Sequence, residues 1–283
     1  MPSVVDLHMH SQYSDGTDSA QELAARMERD GIGLFALTDH DTASGLLPTA
    51  QAARAVPSLR FFPGVEFSCR TAEGKCHILG YFPDIAHPAL KTLLDAVNAL
   101  RLQKLQLRLD FLREHFGVTM EDDELAWLRS IPSPGKPHLA RLLMRRGLAA
   151  TVTEAIDNYL VHCPSGDTRL DAAITVPGIL AAGGIPVWAH PTGGLGEPEI
   201  TIDEFEQQLL TLRRLGIEGL ECWYSLFPVE KCRRLAYAAG RDGLLISGGS
   251  DYHGKNKSVH PGMLNAEDEP VPPEELTLLS RLL

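Results

Sequence analysis

The sequence predicts an α/β protein of parallel strands joined by crossover helices, interrupted by an all-helical stretch. Short apolar runs alternate with amphipathic segments near both ends of the chain, whereas the middle is periodic only at helical spacing. A chain of 283 residues also suits either two ordinary domains or one large α/β barrel. The divisions expected are a first barrel part over 1–97, a helical insertion over 98–168 and a second barrel part over 169–283.

The first part opens with the strand "VVDLHMH" and continues through "SAQELAARMERDG", where Ser19 and Glu22 have capping-box spacing and Gly31 supplies a stop. The strand "GLFALTDH", a helix starting near Ser44, and the strands "LRFFPGVEFS" and "KCHILGYF" follow. Between the two parts, Leu90, Leu93, Leu94, Val97 and Leu100 form a stripe at helical spacing that leads into the insertion. Shorter helices are expected around Glu121, Leu139 and Glu154, with the Pro- and Gly-rich "SIPSPGKPH" breaking them as a loop. The last part predicts a helix opening at Pro177, "IPVWAH", a helix over Thr201–Leu215, "IEGLECWY", a helix from Pro228 and "LLISGGSDYH".

Composition narrows the function classes. A net charge of -11 argues against duplex DNA and anionic membranes as partners. No apolar run is long enough to span a bilayer, and no leader-like segment opens the chain. The five cysteines form no CxxC pair, which fits the reducing cytoplasm and makes packing the expected role of Cys69 and Cys76. Positive charge gathers locally: over 101–146, nine Lys/Arg face six Asp/Glu. A solvated helical face is the alternative reading of that bias.

The polar residues inside apolar runs point to chemistry. Asp6, His8 and His10 share one face of the first strand, and burying such a row requires partners. A divalent cation can hold two imidazoles at once; one core and one surface histidine is the plainer alternative. Asp39, His40, Glu66, His77, His190, Glu221, Asp251 and His253 also stand at the predicted strand ends, which converge on one mouth in a parallel barrel. This ligand set contains no thiolate, suits Mn²⁺, Fe²⁺ or Zn²⁺, and is large enough for two or three ions, implying phosphate-ester hydrolysis. No GxSxG, P-loop or GxGxxG fingerprint competes. "GGS" at Gly248–Ser250 reads as a tight turn leaving room at the site. Glu221 reads as a hydrogen-bonded core carboxylate outside the site.

In order, "DLHMHSQYSDGT", "LTDHDT", "GVEFS", "HILGY", "AHP" and "GSDYHG" resemble the motifs of the PHP (polymerase and histidinol phosphatase) superfamily. With Asp15 in "SDGT" and a basic-Pro-His stretch in the insertion, the resemblance is nearest to the branch of 3',5'-nucleoside bisphosphate phosphatases and 5'-to-3' exoribonucleases. It implies a distorted (β/α)7 barrel and two or three divalent ions. His8, His10 and Asp251 would hold one ion, with Glu66 as a bridge. Asp15, His40 and His190 would hold a second, and His77 and His253 would complete a third position beside Glu66. Asp15 stands where many members carry histidine, and its harder oxygen favours Mn²⁺ or Fe²⁺ over Zn²⁺. Asp39 could itself bind metal, but neighbouring residues at a strand end face apart, so a hydrogen bond to a ligand histidine is the expected role for it and for Asp6.

The activity so implied is removal of the 3'-phosphate from nucleoside 3',5'-bisphosphates, with trimming of short RNA as an extension. His253 or His138 would protonate the leaving oxygen. Arg129, Lys136, Arg141, His138 and the Ser133 hydroxyl are candidates for the second phosphate. Trp223 and Tyr224 are candidates for stacking on a base or for the core. A small-molecule phosphatase of the histidinol-phosphate or phosphosugar type, and a noncatalytic metal-binding module, are the alternatives.

Overall fold

The computed structural model describes residues 4–164, 168–194 and 199–283. Its strands are β1 (Val5–Asp6), β2 (Leu34–Leu37), β3 (Arg60–Arg70), β4 (Lys75–Tyr81), β5 (Leu170–Asp171), β6 (Ile185–Ala189), β7 (Gly219–Tyr224) and β8 (Leu245–Gly249). Seven run in the order β1-β2-β3-β4-β6-β7-β8, with β5 pairing on β3. The ends of that path are joined by Leu7 N–H to Gly248 O and Asp251 N–H to His8 O, making a nearly closed barrel.

One strand departs from the all-parallel expectation. β4 is antiparallel to both β3 and β6. Only four residues separate β3 from β4, too few for a crossover helix, so the pair forms a hairpin. β4 therefore brings the beginning of its span, not its end, to the level where the parallel strands finish, and His77 pairs in register with Ala189.

Helices α1 (Ala20–Arg29), α2 (Leu46–Arg54), α7 (Ala172–Ala181), α8 (Ile202–Leu215) and α9 (Val229–Arg241) pack around the barrel, and α10 (Leu279–Leu282) ends the chain. Ser19 and Glu22 make the reciprocal capping box expected for α1. Thr201 and Glu204 do the same for α8. α7 differs from the sequence reading: Pro177 lies inside it, and the start is set earlier by Asp171, whose carboxylate accepts from Ala173 N–H. The expected turn at Gly248 and Gly249 is likewise absent, since both are strand residues. A Cβ on Gly249 would lie 2.2 Å from that of His8, so glycine lets β8 close against β1.

α3 (Pro88–Phe116) leaves the barrel and enters the insertion as one continuous helix, passing through the expected boundary at 98. α4 (Asp122–Ser130), α5 (Lys136–Arg145) and α6 (Val152–Ala155), which continues as a π-turn over Ile156–Leu160, complete the insertion. Leu105, Leu112, Leu128, Leu139, Leu143 and Leu160 bury a second apolar cluster separate from the barrel core. Residues 165–167 of the expected insertion lie outside the described residues.

Candidate metal centre

Nine side chains proposed as ligands from sequence come together at the mouth, eight of them in three overlapping sets. His8, His10, Glu66 and Asp251 form one, His10, Asp15, His40 and His253 a second, and His40, Glu66 and His77 a third; within each set the ligand atoms lie within 4.8 Å of one another. His190 joins the third region: its Nε2 is 3.1 Å from Glu66 Oε1 and 3.3 Å from His77 Nδ1. This regroups the expected sets. His253, not His190, stands with Asp15, at 3.2 Å, because β4 delivers His77 beside β6 while the turn after β8 delivers His253 across the mouth.

Glu66 is the hub. Oε2 lies 3.2 Å from both His8 Nε2 and His10 Nε2, while Oε1 lies 2.8 Å from His77 Nδ1. His40 Nδ1 is 3.1 Å from Oε2 yet makes no hydrogen bond there, an arrangement that suits atoms facing a shared cation. The two imidazole Nε2 atoms of His8 and His10 approach to 3.2 Å, with Asp251 Oδ1 3.2 Å from the second. Two nitrogens and two carboxylate oxygens converging in this way match a divalent ion of intermediate hardness.

The electrostatics agree. Burial opposes charge on His10, but the Asp251 and Glu66 carboxylates outweigh it and lift its pKa to about 9. Burial similarly disfavours the charged form of Glu66, and the surrounding His40, His77 and His8 overcome this to hold it well below the usual range. Asp15 is held low against burial by His253 and His40. The buried carboxylates thus attract positive charge strongly enough to recruit protons onto imidazoles, and divalent ions answer the same demand.

Surrounding groups fix the ligands. Glu221 accepts from His8 Nδ1 at 2.9 Å and from His190 N–H at 2.7 Å, so this carboxylate, expected as a hydrogen-bonded core group outside the site, orients two ligand-bearing segments. A register shift in β7 between Glu221 and Trp223 accompanies that placement. Lys257 Nζ at 2.5 Å and Tyr224 Oη at 2.9 Å both hold Asp251 Oδ2, leaving Oδ1 toward His10. His190 and Asp251 sit at positive φ (27° and 55°), a strain found at functional sites.

Other expectations are corrected. Asp39 accepts from Ser11 N–H, Ser11 Oγ and Ser14 Oγ, not from a histidine ring. Asp6 accepts from Ser250 N–H and Oγ, Gly262 N–H and His8 N–H, tying β8 to β1. Trp223 and Tyr224 are buried, which removes them as base-stacking platforms. Cys69 and Cys76 face each other across the β3–β4 hairpin, buried and not disulfide-bonded.

The insertion residues divide. Arg141 Nη2 is 3.5 Å from Asn256 Oδ1, and Asn256 donates to Asp15 O at 2.6 Å, linking α5 to the mouth. His138 is buried; its Nδ1 accepts from Gly135 N–H, and burial drops its pKa to about 4. His253 donates through Nδ1 to Asp251 O, with burial and His10 lowering its pKa. Burial thus disfavours the charged form of both rings. Ser133 Oγ is buried without a partner, Lys136 is half-buried at the start of α5, and Arg129 is exposed at the end of α4. Sequence reasoning missed Arg101, whose guanidinium bonds Asp41 at 2.5 Å and Ser68 Oγ at 3.3 Å beside the mouth.

Comparison with known proteins places this geometry. The PHP domain model matches residues 6–132. The 3',5'-nucleoside bisphosphate phosphatase of Chromobacterium violaceum is 31% identical over 255 residues, covering 88% of this chain and 87% of that protein. The chain belongs to the PHP family. The 5'-3' exoribonuclease of Haemophilus influenzae is 30% identical over 256 residues, covering 89% of this chain and 91% of that one. A solved structure described as an amidohydrolase from Chromobacterium violaceum with bound sulfate and no metal superposes with a TM-score of 0.82 at 29% identity, over 98% of this chain and 95% of that one. This PHP protein is a phosphoester hydrolase. Among its described residues no helix is long and apolar enough to cross a membrane.

Proposed function

We propose that the protein removes the 3'-phosphate of nucleoside 3',5'-bisphosphates with Mn²⁺ as its native metal, acts also on the 5' ends of short RNA, and works in the cytoplasm. The observation that carries this reading is the pairing of a three-set metal mouth with cationic and hydrogen-bonding residues of the insertion, Arg141 and His138, held beside Asp15. The names of the two relatives support it, as do the five cysteines, none disulfide-bonded, for a reducing compartment.

His8, His10, Glu66 and Asp251 would hold one ion, His10, Asp15, His40 and His253 a second, and His40, Glu66, His77 and His190 a third. When bound, such ions activate water and neutralise charge on the reacting phosphoryl group. The chain positions the ester. Arg101 keeps two of its donors on Asp41 and Ser68, while its Nη1 lies beside Gly135, so it can meet an anion at the insertion loop. Arg141, the neutral His138 and the unpartnered Ser133 hydroxyl add donors to the uncleaved phosphate. Binding there orients the ester to be cut.

Product identification tests the assignment. Adenosine 3',5'-bisphosphate incubated with Mn²⁺-loaded protein should give adenosine 5'-monophosphate and inorganic phosphate, and chelation should stop it. The 3'-monophosphate as product, or turnover that survives metal removal, overturns it.

A further inference from the structure

On α3, Arg101, Lys104 and Arg108 stand at i, i+3 and i+7, on one face, spanning about 10 Å of helix axis. The row starts at the mouth, where Arg101 is neutralised by Asp41. Its continuation has no such partner, Asp41 only partly offsetting the like charges around Lys104. Lys104 and Arg108 are only 9% and 6% exposed. Lys104 has no hydrogen bond or ion pair to any described residue, and Arg108 Nη1 is buried with no hydrogen-bond partner.

The neighbours make this worse, since Arg101 and Arg169 act on both side chains with like charge and Lys136 lies within the field of Arg108. A buried lysine can shed its proton, and burial with Arg108 beside it drops the Lys104 pKa to about 6. Arginine has no such escape at neutral pH. An unpaired buried guanidinium is costly, and such groups are found paired. The missing partner is an anion.

We propose that Lys104 and Arg108 form an anion site beyond the mouth that takes a second phosphoryl group at the uncleaved end of the substrate. This rests on the nucleotide reading above: Arg101, His138 and Arg141 meet the first uncleaved phosphate, and the row on α3 continues past it. The substrate class is then a nucleoside 3'-phosphate carrying a 5'-diphosphate.

The test compares adenosine 3'-phosphate 5'-diphosphate with adenosine 3',5'-bisphosphate on the Mn²⁺-loaded protein, metal in excess of nucleotide. The diphosphate should show about tenfold lower KM, the worth of one charge-assisted contact. In Lys104→Met and Arg108→Gln the ratio should fall to near one. An equal or higher KM for the diphosphate, or a ratio unchanged in both variants, overturns the site. If neither nucleotide is hydrolysed, the substrate reading fails and the site is judged by sulfate. That dianion should raise the melting temperature of the wild type more than that of the double variant, which keeps the Arg101–Arg141 site; equal shifts in both overturn it.

Discussion

Glu221 Oε1 lies 2.9 Å from His8 Nδ1, both atoms fully buried. A carboxylate only accepts, so Nδ1 carries a proton and Nε2 is turned toward Glu66 and Asp251, where an ion would meet it. Glu221→Gln should keep the fold but weaken divalent metal affinity about 10- to 100-fold. Metal titration of the purified variant checks this; wild-type affinity would return Glu221 to a packing role.

Glu66 touches five imidazoles, so its charge serves more than one ion position. Glu66→Gln should lower bound metal and phosphatase activity together, while circular dichroism stays native. Elemental analysis is the measurement. Full metal content with full rate would contradict the hub role.

Arg141 sits half-buried, bridged to Asp15 through Asn256. Arg141→Ala should raise KM for the bisphosphate about tenfold, as expected for loss of a charged contact, with metal content unchanged. Arg129→Ala should change neither, because Arg129 is exposed at the end of α4. Steady-state kinetics on both variants separate the two.

Lys104 gives a pH signature. Burial, with Arg108, Arg169 and Arg101 against it and Asp41 partly offsetting them, lowers its pKa from 10.5 to about 6. The unfolded chain therefore binds the extra proton between these values, so this group's penalty is full below about pH 6 and is relieved as pH rises toward 10. The melting temperature of the ligand-free wild type should climb more across this window than that of Lys104→Met. Parallel profiles would contradict the buried placement.

Much of the mouth is legible in the sequence because Asp6, His8 and His10 interrupt an apolar run at period two, while Glu66 and Asp251 stand with other histidines and acids at the predicted strand ends. Their grouping could not be read from order along the chain. It depends on β4 running antiparallel, which the four-residue gap between "GVEFSCR" and "KCHILGY" signalled but the alternating rhythm obscured. Glu221 was seen and set aside, since its bond to His8 joins residues 213 apart. Asp39 and Asp6 were assigned to histidines, although the serines at 11, 14 and 250 offered nearer donors. Arg101, Lys104 and Arg108 share one face of α3 at recognisable spacing, but their burial depends on how the insertion folds back.

The central claim, phosphate removal guided by a second phosphate, is tested most directly by comparing kcat/KM on one Mn²⁺-loaded preparation. The substrates are adenosine 3',5'-bisphosphate, the two adenosine monophosphates and histidinol phosphate. The bisphosphate should exceed either monophosphate at least about tenfold, or ~1.4 kcal/mol of transition-state binding. Faster turnover of histidinol phosphate, or equal rates for bisphosphate and monophosphates, would contradict the account.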